Sequence, residues 1–459
     1  MRFSTLLSPA AGLLLAGLLA SGCRSFDPAQ ARRGQTETFT SNLAVLAQAE
    51  LARPLSLADC VRIAMTNNYA ARKADLDREL YRIGKNVAFT AFLPNVAASA
   101  GYSSYAKDPQ VTDKQFGTAG VDIGWPVFMP SSWFLYAAAR QGYAAAGIAA
   151  HYVRQGIVLQ TTIHYYNVLV QQDTIAALES QLAAARAVAG RVQGLANEGL
   201  FARWEGDQAL LAADVRETEL NKARRQLTVL RSELLQGLGL SPDAAVTLSG
   251  DTGEPVRPEG SVADLVLKAL ETHPELALAD RQVVIREHEV RQAFCNFLPT
   301  LSLFSSGSWT GNDLAAHSAN WVSGFGAAWS VFDGFANVAR YRAAKVERRR
   351  TELERENTFL SIMVGVVAAE AAVHDAAEGA ALRRHAYAVA AAKSSDYDAK
   401  AREGLIPLGD ALDARAARDL AQVAMVQSQY QERIALANLE LAMGSTLVPE
   451  PNSETKAEK

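Results

Sequence analysis

Apolar residues along this chain follow two periods. In long proline-free stretches they recur every three and four residues. In four short stretches they alternate with small polar residues. From Tyr136 to Ala196 the helical period runs unbroken, about 90 Å at 1.5 Å per residue. Its distal part (Ile175, Leu178, Leu182, Ala185, Ala189, Val192, Ala196) is a heptad seam, which predicts left-handed supercoiling against a partner helix. Leu220, Ala223, Leu227, Leu230 and Leu234 give the returning helix the same spacing. A second pair of helices is predicted over Ala339 to Arg402 and Leu408 to Met443, the latter with Leu420, Val423, Tyr430 and Ile434 on one face. Shorter helical patterns, Val61 to Val87 and Val266 to Val290, precede Leu-Pro steps at Pro94 and Pro299. A proline ring removes a donor and crowds the preceding turn, so each marks a helix-to-strand junction.

The alternating stretches are Asn95 to Tyr105, Gly117 to Phe128, Thr300 to Thr310 and Trp321 to Phe332. Their length suits lipid-exposed barrel strands of roughly 9–11 residues. The polar Lys107–Gln115 and Asn312–Ser318 connections make each pair a hairpin. Four strands cannot close a barrel, which takes about eight to hold even a core of side chains. An open edge in lipid leaves backbone groups without partners. In a membrane, several protomers must therefore share one barrel, and three copies of four strands give twelve.

The chain also repeats itself. Phe92-Leu93-Pro94 returns as Phe297-Leu298-Pro299, 205 residues later. At that offset, or one residue from it, Ala58-Asp59 matches Ala263-Asp264, Trp125 matches Trp329, Glu198-Gly199-Leu200 matches Glu403-Gly404-Leu405, and Gly239 matches Gly444. This is a duplication of the whole unit and not a short solenoid period. Residues 55–250 and 261–448 are the two repeats, each reading helix, strand, strand, long helix, long helix. Ser56 and Ser261 sit at N-cap positions, with Asp59 and Asp264 three residues on. Gly239 and Gly444 stand where C-terminal glycine caps belong.

The bulk numbers exclude several classes. Of 459 residues 49% are hydrophobic and 20% charged, with a net charge of −4, which offers nothing to nucleic acid. Three cysteines, Cys23, Cys60 and Cys295, make no disulfide framework, and the latter two sit in apolar contexts as small core residues. The seven histidines show no metal-ligand spacing, and no nucleotide-binding or hydrolase motif occurs, so neither an enzyme nor a cofactor is expected. Residues 1–22 read as a signal peptide, with Arg2 before an apolar run from Leu6 to Leu19. Leu19-Ala20-Ser21-Gly22-Cys23 resembles a lipobox, making Cys23 the lipidation (palmitate) site and 23–54 a polar, Ala-rich linker. Arg24 after the cysteine favours the outer membrane as destination. The tail 449–459 reads as disordered.

Two features could carry function. At the helix-to-helix tips a glycine breaks the incoming helix and leaves apolar residues at the end of a rod: Gly199-Leu200-Phe201 and Gly404-Leu405-Ile406. They either dock a partner or staple their own turn. Asp410 and Asp413 share a helix face just after the second tip. They are either a dipole-favoured first turn or, repeated around a symmetry axis, two acidic rings in a pore. The basic run Arg340, Arg342, Lys345, Arg348, Arg349, Arg350 is read as a solvated face paired with Glu347, Glu352 and Glu354, with lipid headgroups as the other reading.

Over about residues 55–445 this arrangement resembles the TolC-type outer-membrane efflux protein family, in its lipoprotein branch. The resemblance rests on the duplicated Leu-Pro, the strand end Trp329-Ser330-Val331-Phe332-Asp333-Gly334 and the Gly-Leu tips. It implies a mostly α fold with a long antiparallel coiled-coil α-helical barrel, plus four strands per protomer in a 12-stranded trimeric transmembrane β-barrel. The implied function is the exit duct of a tripartite efflux pump or type I secretion system. The implied partners are a periplasmic adaptor protein meeting the tips and an inner-membrane RND, ABC or MFS transporter. Family members carry two acids six and nine residues after the tip glycine, which are Asp410 and Asp413 here. Ala401 and Ile406 replace a Tyr and an Arg that close the pore in some members, and Met129-Pro130 replaces the Asp-Gly strand end in the first half. The competing reading is a periplasmic coiled-coil scaffold lipoprotein without channel activity. A stand-alone porin would be mostly strand.

Overall fold

The computed structural model describes residues 27–107, 111–250 and 257–445; the leader, Cys23 and the tail lie outside the described residues. In chain order the elements are α1 (Pro28–Glu50), α2 (Leu57–Asn67), α3 (Tyr69–Thr90), β1 (Asn95–Ser104), β2 (Gln115–Phe128), α4 (Pro130–Asn197) and α5 (Arg203–Gly237). The second half follows with α6 (Val262–Thr272), α7 (Pro274–Cys295), β3 (Thr300–Thr310), β4 (Ala319–Ala328), α8 (Ala336–Arg402) and α9 (Leu408–Ala442). The fold class is the expected one: long antiparallel helical hairpins joined to a four-stranded sheet.

Three local expectations fail for physical reasons. The stretch read as a linker is helical from Pro28, because Asp27 caps it: its Oδ1 accepts from the Ala29 amide at 2.8 Å, and Pro28 suits the first helical position. The helix expected from Val61 to Val87 breaks at Asn68, and that from Val266 to Val290 breaks at His273, both extended (φ −61° and −65°). Each breaker caps the next helix. Asn68 Oδ1 accepts from Ala70 N at 2.7 Å and His273 Nδ1 from Glu275 N at 3.2 Å. Pro274 also biases His273 away from helix. Strand β4 stops at Ala328, before Trp329, as the chain turns through Gly334 and Phe335 (φ 68° and 67°) into α8.

The breaks fit the packing. At the end of each returning helix a glycine with positive φ (Gly239, 70°; Gly444, 65°) lies against the break. A Cβ on Gly239 would fall 2.4 Å from the Asn67 carbonyl oxygen, and one on Gly444 2.7 Å from His273 Cα. Asn68 Nδ2 also donates to the Gly237 carbonyl at 2.7 Å. Around these contacts lie the two apolar cores. One gathers Ile63, Tyr165, Leu234, Leu235 and Leu238; the other gathers Leu265, Ile362, Val366, Leu439 and Met443. Cys60 belongs to the first, and burial pushes its thiol up to about 12.

The helices form a single layer. Near the sheet its order is α3–α4–α7–α8; farther away it is α5–α4–α9–α8, because the 68-residue α4 runs the whole length. The sheet is antiparallel in the order β1-β2-β3-β4, with β2 and β3 joining the two halves. Pairing puts Val96, Tyr102, Val121, Ile123, Trp125, Leu301, Leu303, Trp309, Trp321 and Phe325 on one mainly apolar face, with Ser305 and Ser323. Ser99, Ser103, Thr118, Ser302, Ser306, Ser308, Thr310 and Asn320 share the other, mainly polar face, with Phe116, Phe304 and Val322. On the apolar face Trp125 marks the helix end of the sheet, and Tyr102, Trp309 and Trp321 mark the hairpin end. Trp309 pairs with Ala119 and Tyr102 with Gly117, six and eight residues along the strand from Trp125, about 20 and 27 Å.

Both junctions reuse one device. Trp125 Nε1 donates to the Phe92 carbonyl at 3.0 Å, and Trp329 Nε1 to the Phe297 carbonyl at 3.1 Å. Beside them, Phe89, Phe92 and Tyr136 form an aromatic triad with centroids 5.8–6.2 Å apart, matched by Phe294, Phe297 and Tyr341 at 6.1–6.3 Å. Pro94 and Pro299 therefore sit between a helix end and a strand start whose relative positions are fixed by tryptophan and ring contacts.

Gly239→Ala should lower the thermal midpoint far more than Gly199→Ala. Both positions need a left-handed backbone, about 1–2 kcal/mol for a side chain, but only Gly239 faces a backbone collision. Equal losses would contradict the packing account. The capping carboxylates make a second expectation. Hydrogen bonds from Ser56 and from Ser261 hold Asp59 and Asp264 below the usual carboxylate range. Their contribution is thus present above the ordinary value and lost as pH falls through the lowered one. Acid unfolding followed by circular dichroism should show a smaller pH dependence in an Asp59→Asn, Asp264→Asn variant.

Candidate functional site

The end of the molecule away from the sheet holds the two tips. Both turns close with the same hydrogen bonds. Gly199 N donates to Ala196 O at 3.1 Å and Leu200 N to Leu195 O at 2.9 Å; Gly404 N donates to Ala401 O at 3.2 Å and Leu405 N to Lys400 O at 2.9 Å. With φ of 75° and 73° at the glycines, these are Schellman caps. The caps satisfy the helix ends through backbone alone, so the apolar side chains are not consumed in the turn. Leu200 is 69% exposed, Trp204 64% and Leu405 67%. Glu205 accepts from the Ala202 amide at 2.8 Å and starts α5.

Asp410 and Asp413 lie in the first two turns of α9, exposed, beside the buried Ala411 and Ala414 that face the neighbouring helices. Neither carboxylate forms an ion pair among the described residues, unlike Asp398, held by Arg415 at 2.7 Å, or Asp396, held by Lys400 at 2.7 Å. Pairing is thus spent on the hairpin walls and withheld from these two acids. Ala401 and Ile406 supply no polar link across the tip.

A buried polar contact links the two hairpins above the tips. Asp419 of α9, 6% exposed, accepts from Ser180 Oγ of α4 at 2.5 Å and from its neighbour Arg418 at 2.7 Å. Sequence reading missed this contact, because a single serine among alanines at heptad spacing carries no signal of its own. The repeat paired Trp125 with Trp329 but did not show their hydrogen bonds, and the aromatic triads were missed although their members also recur at the 205-residue offset. The basic run of α8 pairs within its own helix: Arg348 and Arg349 with Glu352, and Arg350 with Glu347 and Glu354. Among the described residues no group of three His, Cys, Asp or Glu side chains could hold a metal ion.

The fold has known counterparts. The crystal structure of the Campylobacter jejuni CmeC outer membrane channel superimposes with a TM-score of 0.73 over 84% of this chain and 85% of that one, at 17% identity. The Neisseria gonorrhoeae MtrE outer membrane channel, in its open state, gives 0.69 over 85% and 89%, at 18% identity. The Vibrio cholerae outer membrane protein VceC gives 0.67 over 85% and 96%, at 16% identity. No curated protein sequence matches the chain. A family model described as outer membrane efflux protein matches twice, over residues 61–240 and 265–445, one match in each half. Two tandem matches over most of the chain, on a layer of long hairpins topped by a sheet with one apolar face, place this protein in the outer membrane efflux protein family.

Proposed function

We propose that three copies of this outer-membrane efflux channel close into one tube, a 12-stranded barrel continued by a helical tunnel. The observation that carries this reading is that the open edges of sheet and helical layer coincide. Strand β1 follows α3 at one lateral edge, and β4 precedes α8 at the other. Each edge is apolar and exposed. On α3 the stripe is Leu76, Leu80, Ile83 and Val87, spaced 4, 3, 4; on α8 it is Val346, Leu353, Leu360 and Val367, spaced by seven. An apolar 18-residue stretch within α8 is only 17% buried within the protomer. Two different complementary edges make a head-to-tail contact that closes into a ring. Eight strands leave room only for side chains, so a duct needs at least twelve.

In such a ring Asp410 and Asp413 become two acidic constrictions at the tunnel mouth, and the exposed leucines at Leu200 and Leu405 meet a periplasmic adaptor protein. An inner-membrane RND, ABC or MFS transporter supplies the energy, since the sequence carries no nucleotide-binding motif. Cys23 carries the lipid anchor in the outer membrane. The scaffold alternative has no use for a sheet with an apolar face and aromatic margins.

Purified full-length protein in planar bilayers should conduct with a preference for cations. Asp410→Ala with Asp413→Ala should reduce the K⁺/Cl⁻ permeability ratio about fivefold, six carboxylates at a constriction being a strong filter. Block by multivalent cations should weaken in parallel. Unchanged selectivity would sink the ring assignment, and absence of conductance would sink the channel. At the lateral edge, Leu360→Glu should shift the particle in light scattering from trimer toward monomer.

A further inference from the structure

The four strands carry one charged side chain among all their residues, Asp122 near the middle of β2. Register places it opposite Ala97 of β1 and Ser306 of β3, on the face with Ser99 and Ser308 and away from the tryptophans. Its Oδ1 accepts from Ser306 Oγ at 2.6 Å, which holds the carboxylate over the polar face. No lysine, arginine or histidine occurs on any strand, so a neighbouring copy brings no compensating charge through its own β1 or β4. Along β2 the nearest cation, Lys114, is eight residues away, about 27 Å. An ionisable residue at membrane depth is costly on the lipid side, and its usual place is a water-filled pathway.

We infer that Asp122 forms a ring of three carboxylates midway through the barrel, a second cation-favouring filter separate from the tunnel mouth. The inference rests on the trimeric-channel reading. Twelve strands about 4.8 Å apart and tilted about 40° give a backbone radius of about 12 Å, so each carboxylate stands about 9 Å from the axis. That is about one Debye length at 0.1 M salt, where three such charges favour a monovalent cation over an uncharged solute about 2.5-fold; at 0.01 M the factor is about 5.5-fold. The export path therefore discriminates by charge twice, and anionic solutes are disfavoured within the barrel as well as at its entrance.

Reversal potentials in KCl gradients, with the full-length protein in planar bilayers, test this directly. Asp122→Asn keeps an oxygen for Ser306 and should lower the K⁺/Cl⁻ ratio, and Asp122→Lys should lower it further, both with open-channel conductance retained. The effect should grow between 0.1 M and 0.01 M salt. A second arm leaves position 122 intact: the Asp410→Ala, Asp413→Ala protein should keep a residual cation preference that rises at least twofold over that same dilution. Conducting channels whose ratio is unmoved by both Asp122 variants, or a tip double mutant with no residual preference, would overturn the Asp122 ring. Wild-type protein that does not conduct would instead overturn the channel reading beneath it.

Discussion

Unpaired strand edges in lipid are the constraint on which this structure turns. A β1 or β4 edge facing hydrocarbon would leave a row of amides and carbonyls without partners, each costing several kcal/mol. The protomer cannot solve this alone, because its four strands are too few to curl shut. The helices below inherit the same incompleteness, since a single layer has two sides that no other part of the chain covers. Both problems have one solution, the addition of further copies at both edges until the ring closes. In the proposed trimer the monomer is a wall segment, and the exposed leucines and valines of its α3 and α8 edges are interface.

The duplication explains how one wall segment is built twice from few instructions. Each half needs a helix to hand over to a strand at a fixed height, and each uses a tryptophan from the outgoing strand end to hold the phenylalanine carbonyl before Leu-Pro. Each half also needs its returning helix to end against the kink of its first helix, where only glycine fits. The halves diverge at the tips. The first tip presents Leu200, Phe201 and Trp204; the second presents Leu405 and then two uncompensated acids.

Much of this was legible in the sequence because it depends on period and repetition. The heptad seams gave the long hairpins, alternation gave the strands, and Pro94 with Pro299 gave the boundaries between them. Elements that depend on single contacts were hidden. The kink at Asn68 has no following proline, and the contact that fits it, with Gly239, comes from some 170 residues away. Helix α1 hung on Asp27 as a cap within a stretch that composition made polar. The roles of Asp122 and Asp419 depend on register: a carboxylate beside Ser306 and one beside Ser180 are invisible until the strands and the hairpins are aligned. Asp410 and Asp413 were singled out in the sequence because they share one helix face just after a glycine turn.

The proposed trimer requires both open edges to close on further copies of the same chain. Electron cryo-microscopy of the detergent-purified particle measures this. A three-fold particle is expected, in which β4 of each copy pairs with β1 of the next and α8 packs on the neighbouring α3, around a continuous lumen. A particle whose β1 or β4 edge stays unpaired, or whose helical layers join through other faces, would contradict it.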